Sequence, residues 1–329
     1  MSTPLNKLSK AMKSTVSVKA LKSAVDSVSY CVPTKPLMPI LAGIKLDFDM
    51  SGVTITAFDL ANGAQVYCEA ENDDELNGIS IVVDKKNLSS LLSKLSGDIE
   101  LSIDSSLQVI SLASDNSVVE LQLMDAAEYP SDVFDTGDLT AYYAMPVASF
   151  KRAIDCCAVS ASTDPSRQLL QGVNIQYSDA DRAFKLASTD GNRLTICTIP
   201  AEVDDLGNKS TNVTVPALFL ANLPKTISDT FDVSCGDTFQ LTNDESSRFA
   251  SRIYDGAYPD YSLLIPLEYS RTAIVDRLEL LKLLNIADAI DDKSTDTIKL
   301  AFKLNSLGVS IERGAAKFTS SMDCKLTGA

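Results

Sequence analysis

The side chains of this 329-residue chain that could do chemistry are mainly carboxylates and thiols, because it contains no histidine. Asp59 and Asp190 are each followed within four residues by an Asn and a Gly. With Glu128 or Asp260 they are the candidates for paired-carboxylate acid–base work. Without histidine there is no Ser–His or Cys–His nucleophile pair and no side chain that ordinarily titrates near neutrality. The seven cysteines (31, 68, 156, 157, 197, 235 and 324) form no C-x-x-C, and most lie inside apolar runs such as 194–197 (LTIC). They read as small core residues in a reducing compartment rather than zinc ligands. No phosphate loop or nucleophile–base pair completes a constellation, so no metal and no cofactor is expected. A carboxylate-based hydrolase remains the minor alternative.

The two aspartates occupy matching points of an internal repeat. Residues 52–70 (GVTITAFDLANGAQVYCEA) and 183–202 (AFKLASTDGNRLTICTIPAE) each run as an alternating apolar strand, break at the Asp, and resume as a second strand. Asp59 and Asp190 are 131 residues apart. A second marker, 127–133 (AEYPSDV), matches 257–266 (AYPDYSLLIP), with Pro130 and Pro259 separated by 129. A third copy of the strand pattern, 308–326 (GVSIERGAAKFTSSMDCKL), starts 256 residues after Gly52, two units of 128. Carboxylates that recur with such a period suit turns better than one shared site.

Each unit is itself doubled. A strand followed by apolar residues at helical spacing occurs at 15–30 (Leu21, Val25, Val28) and again at 79–96 (Leu88, Leu91, Leu92, Leu95). The second unit repeats this at 143–160 and 211–228, and the third opens with a helix at 277–290. The expected class is α+β: tandem repeats, each of two strand–helix–strands halves, with helices on one side of antiparallel sheets. Expected boundaries are a flexible basic extension at 1–14, units at 15–143 and 144–266, and the first half of a third unit at 267–329.

Composition fits a chain with real cores, at 45% hydrophobic and 22% charged residues. No apolar run is long enough to span a membrane, and no secretory signal is present. Lys7, Lys10, Lys13, Lys19 and Lys22 precede the first acidic residue, Asp26, without the Arg of a transit peptide, and a cytoplasmic location follows. A net charge of −15 argues against gripping nucleic acid over the whole surface, but leaves room for one basic face.

Residues 35–48 (KPLMPILAGIKLDF) resemble the first-unit pattern of the bacterial sliding-clamp family, the DNA polymerase III beta subunit. Residues 170–175 (LQGVNI), 189–197 (TDGNRLTIC) and 258–266 (YPDYSLLIP) resemble its second-unit signatures, and the likeness runs over about 15–326. The resemblance implies the DNA-clamp fold, with helices lining a ring and antiparallel sheets outside. It implies a non-catalytic processivity factor for DNA replication. Two chains would close head to tail as a homodimer around double-stranded DNA, sequence-independently, and tether the replicative DNA polymerase and the clamp loader. Basic residues recur on the equivalent helices: Lys19, Lys22, Lys85, Lys86, Lys94, Lys151, Arg152, Lys225, Arg277 and Lys282. Any one of them taken alone reads first as a solvated helix face; the recurrence makes them candidate ring lining. By the resemblance, Lys35 and the loop at Arg167 and Gln168 also touch DNA.

The resemblance also implies a groove for partner peptides at Leu170, Thr189, Gly191, Asn192, Arg193, Leu194, Pro259 and Leu264. By residue type alone these are strand leucines beside a plain turn. Asn192 stands where many relatives have His, and Leu263 where some have Arg. The family's C-terminal tail, one wall of that pocket, has no counterpart in this sequence, so weak peptide binding is expected. Dimerisation would use Val119 and Leu121, on an alternating run that resembles an edge strand, with Ile286 and Ile290. A divergent plasmid- or phage-borne paralogue, binding clamp partners without closing a ring, is the other alternative.

Overall fold

The computed structural model describes residues 12–104, 108–114, 117–130, 134, 141–178, 180–200, 211–224, 230–243, 246–266, 268–289, 297–313 and 316–328. Two compact units divide the chain, Met1–Tyr258 and Pro259–Ala329.

The first unit holds two repeats. The first repeat comprises β1 (Met12–Ser17), α1 (Val18–Val28), β2 (Gly43–Phe48), β3 (Gly52–Phe58), β4 (Asn62–Glu69), β5 (Glu71–Asn72), β6 (Ser80–Asp84), α2 (Lys85–Leu92), β7 (Asp98–Asp104), β8 (Val109–Ser114) and β9 (Ser117–Met124). The second comprises β10 (Ala141–Pro146), α3 (Val147–Ala158), β11 (Gly172–Ser178), β12 (Ala183–Thr189), β13 (Leu194–Pro200), β14 (Thr211–Pro216), α4 (Ala217–Ala221), β15 (Thr230–Cys235), β16 (Thr238–Asn243) and β17 (Ser247–Arg252).

Local sequence explains these elements. On β7, Ile99, Leu101 and Ile103 alternate inward between polar neighbours, the period of a half-buried strand. On α1, Leu21, Ala24, Val25 and Val28 form the i, i+3, i+4, i+7 stripe that is buried. The helix α2 ends at Leu92, before Leu95, because Gly97 takes a left-handed φ of +77° and the chain turns toward β7. The helix α4 is only five residues long and stops ahead of Pro224.

The repeats are joined edge to edge. Ser247–Ser251 of β17 pair antiparallel with Asn62–Val66 of β4, which fuses strands of both repeats into one thirteen-stranded sheet. Its order is β10-β15-β16-β17-β4-β3-β2-β6-β9-β8-β7-β1-β5, and β13-β12-β11-β14 form a separate sheet. One continuous core takes apolar residues from α1, α2, α3, α4 and the strands beneath them. A smaller cluster stands apart: Ile40, Leu41, Phe58, Val82, Tyr129, Phe134 and Ala250.

The second unit contains β18 (Arg271–Val275), α5 (Arg277–Asp288), β19 (Lys299–Lys303), β20 (Ser306–Arg313) and β21 (Ala316–Gly328). Its sheet runs β18-β21-β20-β19 over a small core of Leu283, Leu307, Val309, Met322 and Cys324. The outer face of α5 leaves Leu278, Leu281 and Ile286 exposed.

Candidate functional site

Two surfaces of the first unit gather the candidate residues. The first is a helical layer. α1 packs on α2 and α3 on α4. The rings of Tyr30, just after α1, and Phe219 of α4 lie 6.1 Å apart, and Lys19 and Lys22 share a shallow concavity with Asn222 and Pro224. The helices therefore follow one another as α2, α1, α4, α3. Lys19, Lys86, Lys94 and Arg152 are exposed on this layer; Lys22, Lys85 and Lys151 are half-buried. Lys22 pairs with Asp26 one turn on, which neutralises part of its charge. Lys35 is exposed in the loop before β2, and Lys225 lies outside the described residues. In the second unit, Arg277 and Lys282 are exposed on α5.

Lys85 and Lys86 occupy the first turn of α2, where the helix dipole disfavours positive charge. Asp84 offsets this as N-cap, accepting from the Asn87 amide at 2.8 Å. Arg277 has the same placement on α5, behind the Asp276 cap, which accepts from the Glu279 amide at 2.8 Å. Cations are placed twice where local helix energetics oppose them.

The second surface is the turn between β12 and β13. Asp190 Oδ1 accepts from the Asn192 and Arg193 amides at 2.9 and 3.0 Å, and Oδ2 accepts from Arg193 Nε at 2.9 Å. These bonds, the Asn192 amide foremost, hold the Asp190 carboxyl below the usual carboxylate range. Gly191 sits at φ +93°, and the Thr189 hydroxyl donates to the Arg193 carbonyl at 2.6 Å. Arg167, on the loop before the 3₁₀ turn Gln168–Gln171, reaches the Asp190 carbonyl with Nη1 at 3.4 Å. Arg167 and Gln168 are both exposed. Leu170 and Leu194 are half-buried beside this turn, and Ile196 is more exposed still. The structure thus brings Leu170 and Thr189–Leu194 together on one hydrogen-bonded platform. Pro259 and Leu264 are exposed residues of the second unit.

Sequence reasoning missed Tyr258, whose hydroxyl accepts from the Thr189 amide at 3.0 Å and pins the end of β12. The Tyr-Pro marker at 129–130 and 258–259 was the available signal, since a tyrosine recurring with the period needs a reason. Gly256, at φ +110°, is also part of the platform: a side chain there would meet Leu169 at 3.3 Å.

Along β9, Val119 and Leu121 pair with Leu112 and Ile110 of β8. On the other side β6 reaches only Leu123 and Met124, so residues 117–122 present an edge with no partner strand among the described residues. Ile286 is exposed on α5, and Ile290 lies outside the described residues.

The carboxylates are committed to turns. Asp59 Oδ1 accepts from the Ala61 and Asn62 amides at 2.9 and 2.6 Å, the same pattern as Asp190. Asp260 accepts from the Ser262 amide at 3.0 Å, and Glu128 is exposed in a turn of its own. None of these contacts joins two of the four candidates. Burial pushes the Cys157 and Cys235 thiols up to about 12, which suits core residues and not nucleophiles. Among the described residues, none of the four candidate carboxylates is brought against another as an acid–base pair.

Comparison with known proteins agrees. Residues 12–133 match the family description "DNA polymerase III beta subunit, N-terminal domain", and residues 144–260 match its "central domain". The "Beta sliding clamp" of Synechocystis sp. is 29% identical over 316 residues, covering 89% of this chain and 78% of that protein. That of Bacillus subtilis is 27% identical over 304 residues, with the same two coverages, 89% and 78%. Among solved structures, the Bacillus subtilis sliding clamp superposes with a TM-score of 0.84 at 21% identity, over 97% of this chain and 86% of that one. The Caulobacter crescentus beta sliding clamp gives 0.86 at 22% identity, over 97% and 85%.

Proposed function

The chain belongs to the DNA polymerase III beta subunit family, and from that membership we propose that it is a DNA sliding clamp. It encircles double-stranded DNA as a cytoplasmic homodimer, does no chemistry itself, and tethers the replicative polymerase and the clamp loader. The observation that carries this reading is the placement of charge. A chain of net charge −15 gathers Lys19, Lys22, Lys85, Lys86, Lys94 and Arg152 on one helical layer, with Lys151 beside them but its ammonium buried. A basic layer attracts phosphates without reading bases, so a ring can hold DNA and still slide.

Partners dock by an apolar-anchored peptide on the platform of Leu170, Thr189, Gly191 and Leu194, a surface with apolar side chains beside a hydrogen-bonded turn. Retention on circular duplex DNA tests the proposal. The wild-type chain, once loaded, should stay on a closed circle and leave when the circle is cut, and Lys35→Glu and Arg167→Glu should each release short linear duplex at lower salt. Equal retention on circular and linear DNA contradicts encirclement. Leu170→Ala should weaken binding of a labelled clamp-binding peptide by roughly tenfold, the loss of about 1.4 kcal/mol of apolar contact; unchanged affinity contradicts the groove.

A further inference from the structure

We propose that the first repeat carries a closed copy of this peptide groove, filled in cis by Phe134, so that each chain offers one peptide site where its repeats would otherwise make two. The inference rests on the groove reading above and adds a second, occupied site to it. The two copies share their construction. Gly43 pairs with Asp84 and Gly172 with Pro216 in the same register, and a side chain at either glycine would collide with its neighbour strand. Leu41 and Leu170 each precede that glycine by two residues. Asp59 and Asp190 build the same turn with the same two amides. The residue after each takes a left-handed φ, +79° at Leu60 and +93° at Gly191. Tyr258 holds the amide of Thr189, immediately before Asp190; its counterpart Tyr129 is buried, its hydroxyl making no hydrogen bond among the described residues.

The copies differ in what fills them. Phe134, five residues after Tyr129, is 6% exposed among Ile40, Leu41, Phe58, Val82, Tyr129 and Ala250. At the second copy, by contrast, Leu170 and Leu194 stay half-buried at the surface and Ile196 beside them is exposed. Phe134 is held as a bound peptide residue would be. Arg248 donates from Nη2 to its carbonyl at 2.7 Å and lies 5.3 Å over its ring, and Gln240 Oε1 accepts from Arg248 Nε at 3.0 Å. Leu60 occupies a left-handed position that favours glycine, where the open copy has Gly191, and its side chain packs on the same cluster. The ligand class this pocket fits is an extended peptide with an aromatic anchor, its carbonyl taken by a guanidinium.

Titration calorimetry with a fluorescein-labelled peptide carrying Leu and Phe anchors tests this. Wild type should bind one peptide per chain and Phe134→Ala two. Phe134→Ala with Leu170→Ala should keep one site at full affinity and weaken the other about tenfold, and Phe134→Ala with Arg248→Ala should lose the new site while keeping the original. One peptide per chain in Phe134→Ala, its affinity falling about tenfold with Leu170→Ala, overturns the plug and leaves the groove reading standing. A wild-type chain that binds no peptide removes both. If Phe134→Ala melts below the assay temperature, Phe134→Val replaces it, shortening the plug while Arg248 stays in place to take the peptide carbonyl. A benzophenone form of the peptide should then label the segment 40–60, and no label there overturns the proposal.

Discussion

Asp190 sits at an exposed turn, yet its carboxylate accepts two backbone amides and the Arg193 guanidinium. Those bonds lower its pKa in the folded chain. The stability they add is therefore fully present above the unfolded carboxylate's pKa, about 4, and is lost as pH falls through the lower folded value. Asp190→Asn keeps an acceptor for the amides and removes the charge. The melting-temperature gap between wild type and this variant should be constant from neutrality to about pH 5 and close below about pH 4. A gap independent of pH down to acid unfolding assigns the aspartate a purely geometric role. Gly191→Ala acts through the backbone instead: a Cβ at φ +93° should cost about 1 kcal/mol, read as a lowered melting temperature. At this scale the sequence was informative where the period repeated a residue type, as with Asp59 and Asp190. The Tyr258–Thr189 bond links residues 69 apart, a separation no local pattern encodes.

The α2 helix sets two requirements against each other. Lys85 and Lys86 lie at its positive end, while Lys94 lies just past the C-cap Ser93, where a cation is favoured. Lys86→Glu should then raise helix stability by about 0.5 kcal/mol, seen as a small rise in melting temperature at low salt. The same substitution should weaken DNA retention and lower the salt slope by about 1. Lys94→Glu is the contrasting case and should lower both. If Lys86→Glu leaves retention untouched, the first-turn lysines are a solvated face and not DNA lining. The existence of α1, α2, α3 and α5 was legible from apolar spacing, but their ends were not. The leucine stripe ran on to Leu95, whereas the left-handed Gly97 and the short return to β7 decided where α2 stopped. For α4, the apolar segment 217–223 favoured a longer helix than Pro224 allows.

For the whole molecule, the period showed the repeats but not how they join. The β4–β17 pairing unites strands nearly two hundred residues apart, and alternation alone cannot say which edges meet. The same physics bears on assembly. Residues 117–122 of β9 present an edge with no partner strand among the described residues, with Val118 67% exposed, and an edge of this kind is a template for pairing with a second chain. At −15 per chain, two copies repel at low salt, so association through this edge should strengthen as salt screens them, over the range in which phosphate attraction weakens. Retention on circular DNA should therefore outlast binding to short linear duplex as salt rises, because topology rather than charge then holds the ring. Sedimentation should show a dimer at micromolar concentration. Val119→Lys should shift it to monomer and abolish retention on circles, while binding of short duplex at low salt, which depends on the untouched helical layer, persists. A wild-type monomer under these conditions, or a Val119→Lys chain that still dimerises, removes β9 from ring closure.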